Sequence, residues 1–134
     1  MTMLSPAEDF KDIIESESSF NLDFATNLFL NRVPDVPDNC VTILNSGGYP
    51  PAVTLGNDVQ LHYPSVQIIV RNRSALIGYN LAFQIKQLLH GRGPEIWNQT
   101  TYMSIVCDTE PSILYWDEKS RCYLSLNFRI LRRP

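Results

Sequence analysis

The chain has 134 residues with 14 acidic and 11 basic side chains, a net charge of −3 and a pI near 5.2. It is sized for a single domain, 1–134, that buries roughly two thirds of its unfolded surface and folds without metal or disulfide staples, and its acidity gives no net pull on phosphate. Cys40, Cys107 and Cys122 are odd in number, far apart and in no C-x-x-C spacing, and the chain has neither a basic-then-apolar leader nor a stretch of roughly 18 apolar residues, which argues against a disulfide framework, a zinc site, secretion and a membrane span, and for a start in a reducing cytosol.

Ser5-Pro6-Ala7-Glu8 is a capping box with proline at the first helical position, and it predicts a helix over 6–16 within an N-terminal unit 1–17. Phe10, Ile13 and Ile14 form a narrow apolar stripe, and Asp9, Asp12 and Glu15 are expected to face water or another subunit. After a polar connector, 25–32 reads as a strand through Leu28, Phe29 and Leu30. Prolines 34, 37, 50 and 51 lack a donor N–H and leave room for only one strand, 40–44, before an extended arm, 45–64. Gly47 and Gly48 open backbone angles closed to other residues. Within the arm, 53–55 and 58–61 could pair as a small hairpin around Gly56-Asn57.

Residues 66–71 read as the central strand, because Val66, Ile68, Ile69 and Val70 make a near-continuous β-branched run. A helix follows over 75–90, capped by Ser74, stopped by Gly91 and closed by Pro94, within a central unit 74–91. One stripe is Ile77, Leu81, Ile85 and Leu88, flanked by Gly78 and Ala82, which let the helix lie close to a sheet. A second stripe, Leu76, Tyr79 and Phe83, lies about 180° away, so the helix is sandwiched either by the N-terminal helix of its own chain or by a neighbouring subunit. Beyond Pro94, 97–107 is β-rich, with Met103, Ile105 and Cys107 on one face. A C-terminal hairpin, 112–132, turns at Asp117 to Arg121 and ends in a strand of period two, with Cys122, Leu124, Leu126, Phe128 and Ile130 on one face. The fold class is α+β: a mainly antiparallel sheet with one long helix packed across it, plus an N-terminal helix.

Chemistry-bearing patterns are absent from this order. His62 and His90 are the only histidines, one in the arm and one in the last helical turn, where an imidazolium suits the dipole. Gly47-Gly48 lacks the Lys-Ser/Thr of a phosphate loop, and nothing matches a nucleophile elbow or thiol-protease signature. A cysteine-dependent enzyme would need Cys107 or Cys122 exposed. The expectation is therefore no enzyme, no cofactor and no metal. The two Asn-x-Ser/Thr patterns, at Asn72 and Asn98, have no use without a secretory leader. Residues 1–67 carry nine acidic and two basic side chains, a balance of −7, and residues 68–134 carry five and nine, a balance of +4. Opposite charge on two faces would favour head-to-tail closure, whereas three-dimensional dispersal would cancel it; the basic C-terminus, Arg129, Arg132 and Arg133, is expected to pair with the acidic half across an interface.

Arg32-Val33-Pro34-x-x-Pro37-Asp38, then a β-branched strand and Gly47-Gly48-x-Pro50-Pro51, then a Val-rich strand ending in Arg71, a long helix, and a hairpin around Asp117-Glu118-x-x-Arg121 finishing in Asn127-Phe128-Arg129, span residues 24–132. In that order they resemble the tail-terminator or minor-capsid (tail completion) proteins of long-tailed bacteriophages. The resemblance implies a structural virion subunit of the neck that forms a hexameric ring on the tail tube, halts its growth and docks to the head–tail connector, with DNA only passing through the lumen and assembly in the bacterial host cytoplasm. Its partners would be itself, the tube protein and the connector or stopper protein. Interface residues would be Leu76, Tyr79 and Phe83 on the helix and Arg129 in the last strand, with Gly47, Gly48 and Tyr49 reaching toward the tube or the next subunit. The capped N-terminal helix and the length of the arm depart from the family's pattern. Two alternatives stay open: another neck protein such as a stopper, or a monomeric binding module for a peptide or small ligand with the arm as its lid.

Overall fold

A computed structural model describes residues 3–53 and 60–134. Helix α1 spans Pro6–Ser16; Ser5 sits in extended backbone, and its hydroxyl accepts the Glu8 amide at 3.4 Å, so one of the orphan donors of the first turn is satisfied. Ala7, Phe10, Ile13 and Ile14 are fully buried. Phe10 meets Phe128 edge-on, with ring centroids 5.6 Å apart, and each such side chain contributes about 1.5–3 kcal/mol of burial. Asp9 is not the solvated residue its position suggested. It is fully buried, its carboxylate accepting from Tyr102 Oη and, at 2.6 Å, from Asn98 Nδ2, with Arg132 Nη1 at 3.5 Å.

The sheet comprises β1 (Leu28–Leu30), β2 (Cys40–Val53), β3 (Gln60–Asn72), β4 (Glu95–Trp97), β5 (Thr100–Cys107), β6 (Ser112–Trp116) and β7 (Cys122–Arg133). Its order is β1-β2-β3-β7-β5-β4, with β6 also on β7. Every pairing is antiparallel except β1 with β2. β7 takes β5 along its C-terminal half and β6 along its N-terminal half, so one edge of this strand serves two partners.

The prolines did not end β2 at Leu44. The strand runs to Val53 because the ladder slips twice, between Asn45 and Gly48 and between Tyr49 and Ala52, and Pro50 and Pro51 fall in the second slip, between the paired positions Tyr49↔Tyr63 and Ala52↔Leu61. Much of the expected arm is thus a continuation of the β2–β3 ladder. The turn expected at Gly56-Asn57 lies outside the described residues. Gly48 is required where it stands: its φ is +109°, and an added Cβ would lie 2.1 Å from the Tyr63 carbonyl oxygen.

Helix α2, Ala75–Leu89, is capped by the Ser74 hydroxyl accepting the Ile77 amide at 3.3 Å. Its buried residues are Gly78, Ala82, Ile85 and Leu89, so the helix is rotated by about one residue from the expected stripe and Ile77 is exposed. The small residues face the sheet: an added Cβ on Gly78 would lie 2.8 Å from Leu124 Cδ1. Both helices share one core with the inward side chains of β7, Leu124, Leu126, Phe128 and Ile130, which leaves the other face of the sheet without helices. The fold is α+β, a curled, mostly antiparallel sheet with two helices. In β5 a slip between Tyr102 and Ser104 turns Tyr102, Ile105 and Cys107 inward and leaves Met103 exposed, contrary to the simple alternation.

Candidate assembly surfaces

The segment between β1 and β2 contributes carbonyls, and β3 and the turn before β7 contribute the cations that hold them. Arg71 is buried on the open face of the sheet and places all its donors: Nε on the Asp38 carbonyl at 3.0 Å, Nη1 on Pro34 at 2.6 Å and the Tyr123 hydroxyl at 3.3 Å, Nη2 on Pro37 at 2.6 Å and Asp35 at 3.3 Å. The prolines thus shape a carbonyl-lined loop around one guanidinium. Arg121 adds Nη1 to the Asp35 carbonyl at 2.5 Å and Nε to the Asp117 carboxylate at 2.8 Å. Burial alone would push Asp117 up, but the Arg121 amide and guanidinium, the Tyr123 hydroxyl and the Lys119 amide hold it down at about 2. Beside this clamp lies a hollow of about 470 Å³ lined by Val33, Leu44, Ile69, Leu114 and Tyr115, with Tyr115 stacked on Tyr123 at 4.4 Å.

Two of the expected interface residues come together at the other end of the same face. Tyr49 and Arg129 line a groove of about 210 Å³ with Tyr63, Ser104, Val106 and Leu131. Arg129 already holds Asp108, Nε to Oδ1 at 2.5 Å, which raises the guanidinium's affinity for its proton. None of the described arm residues lines the 470 Å³ hollow.

Leu76, Tyr79 and Phe83 sit on α2 away from the sheet, 71%, 40% and 37% exposed. α1 does not cover them, because it packs on β1, β2 and β3. The expected interface residues therefore divide between the two sides of the molecule. Sequence reasoning did not single out β6, where Ile113, Leu114, Tyr115 and Trp116 are all about half exposed, Trp116 at 50%. Its signal was the unbroken apolar run Ile-Leu-Tyr-Trp beside a strand whose alternation was already complete.

Part of the charge asymmetry is spent inside the chain. Asp38 pairs with Arg73 at 2.8 Å, Asp35 with Lys119 at 2.8 Å, and Asp9 with Arg132, so these bridges join the acidic half to the basic half of the same copy. Arg132 pairs internally, not across an interface. All three cysteines are buried, and burial raises each thiol above its ordinary range, which runs against a reactive Cys107 or Cys122. His90 Nδ1 accepts the Cys107 amide at 2.9 Å. Among the described residues no three metal-ligating side chains gather, and no helix is long and apolar enough to cross a membrane.

The sequence profile of the bacteriophage tail terminator proteins matches residues 11–132. The chain belongs to that family. The match begins at residue 11, inside α1, so it takes in the end of the N-terminal helix and leaves its capped start, Ser5 to Glu8, outside. Among solved structures, one chain in the virion of a native gene transfer agent particle superposes with a TM-score of 0.64 at 11% identity, covering 97% of this terminator and 96% of that chain. The likeness shows the fold. No curated protein matches significantly. The terminator is thus a structural protein of the phage tail, carried in the virion and working among tail and head components.

Proposed function

We propose that the terminator closes as a hexameric ring on the head-proximal end of the tail tube, where it ends tube growth and docks to the head–tail connector while DNA passes through the lumen. It would assemble there in the host cytoplasm. The observation that carries this reading is the apolar stripe of α2, Leu76, Tyr79 and Phe83, left uncovered by its own chain. A second surface, the groove of Tyr49 and Arg129, lies on the side away from the helices and, with Gly47 and Gly48 at the neighbouring slip of the β2–β3 ladder, would face the tube or the next copy. Two unlike surfaces on opposite sides of one subunit suit a head-to-tail contact, which repeats until it closes. Each pair of neighbours should bury well over about 1,000 Å².

Light scattering on the purified chain, alone and with tail tubes, tests the ring. The expected mass is a small multiple of 15.3 kDa. Particles made without the protein should carry overlong tails that fail to join heads. A single-copy mass under both conditions, with normal tails in its absence, overturns the proposal.

A further inference from the structure

Edge strands invite pairing, and folded proteins blunt them with prolines, charges or brevity. At one end of this sheet the edge is blunted: β1 has three residues, and the exposed continuation of β2 contains Pro50 and Pro51. At the other, β6 pairs only with β7 and presents Ile113, Leu114, Tyr115 and Trp116 with no charge or proline within it. Along this part of the sheet the order is β1-β2-β3-β7-β6, so β1 and β6 stand at opposite margins of the sheet, while the loop after β1 crosses the open face and brings Pro34 and Asp35 toward Leu114 and Tyr115. Beside β1 lies an apolar hollow of about 420 Å³ between Phe24, Phe29, Leu30 and Pro34, with Arg32 on its rim.

We infer that the β6 edge of one copy seats in the β1 hollow of the next copy. This rests on the ring reading above and names a pair of surfaces that make it. Shape is complementary, a ridge of exposed aromatic and aliphatic side chains against a concavity of similar chemistry. Charge is complementary too. Arg32 and Glu118 each lie two residues beyond the end of their strand, both are exposed, and among the described residues neither is in an ion pair. Asp35, also on the hollow's rim, is already neutralised by Lys119 and Arg121 and does not repel an incoming Glu118. Because ridge and hollow are different patches, the contact is heterologous and propagates around a ring.

The test uses the full chain and reads mass by light scattering, with thermal melts to confirm folding. Trp116→Lys spoils the ridge and Phe24→Lys spoils the hollow. Each alone should be a single copy; mixed in equal amounts they should give pairs and nothing larger, since each brings one intact surface. As gentler variants, Arg32→Glu and Glu118→Arg should each weaken assembly about tenfold or more, and the two reversals in one chain should restore it. Rings from both single variants, or a mixture that stays single-copy, overturn the docking while the ring stands. A single-copy parent chain overturns the ring and the docking together.

Discussion

The Arg71 guanidinium lies 2.6 Å from the Pro37 carbonyl and equally close to that of Pro34, so one buried cation organises the loop that joins the first two strands. Its acceptors are four backbone carbonyls and a phenol, with no carboxylate among them. Arg71→Lys keeps the charge but loses the planar fork, leaving at least two acceptors unmet. The expected cost is about 2–4 kcal/mol in chemical denaturation.

Two adjacent glycines should behave differently. Gly47 has positive φ but nothing near its missing Cβ, whereas Gly48 has positive φ and the Tyr63 carbonyl in the way. Gly47→Ala should cost about 1 kcal/mol and Gly48→Ala clearly more, with the β2–β3 register disturbed. Amide exchange at Tyr63 and Ser65 reports the difference.

On α2, Leu76→Lys with Tyr79→Lys should leave the melting free energy within about 1 kcal/mol, since both residues face away from the sheet. The same pair should abolish ring formation. Ile85→Ala, fully buried, should do the reverse, costing about 2–5 kcal/mol of stability while leaving the surface intact.

Two carboxylates pull the pH profile in opposite senses. Asp117 is held at about 2, below its unfolded value of 3.8. Its contribution is present above the unfolded value and is lost as pH falls from about 4 toward 2. Asp9 is raised by burial, partly offset by its bonds to Asn98 and Tyr102. It therefore favours the fold most when protonated and loses that contribution as pH rises through its folded value. Melts from pH 2 to 7 should show Asp117→Asn flattening the acid limb.

Cys40, Cys107 and Cys122 should resist a thiol reagent in the native protein and react together on unfolding, because all three are buried with raised thiols. Fast labelling of Cys107 or Cys122 in folded protein would contradict this.

Local chemistry was legible in the sequence. Ser5 and Ser74 cap the helices they were expected to cap, and the period of two in the last strand sends Leu124, Leu126, Phe128 and Ile130 into the core. What failed depended on distant partners. Pro50 and Pro51 are tolerated because the ladder slips between Tyr49 and Ala52, which no single-strand rule foresees. Asp9 is buried because Tyr102 and Asn98, some ninety residues away, supply its donors. α2 is apolar on most of its circumference, so the close approach of Gly78 to Leu124, not periodicity, decides which side turns inward. Of the surface, the α2 stripe was readable from spacing, whereas the exposure of β6 follows from β5 taking only half of β7's edge.

Because the loop after β1 is anchored to main-chain oxygens, its grip involves no partner that can be protonated and no countercharge that ions can screen. Added salt or acidification should loosen the outlying bridges of Asp35 and Asp38 long before it frees that loop, so the virion protein would keep this corner of its shape when a bursting cell spills it into surroundings of unpredictable salinity.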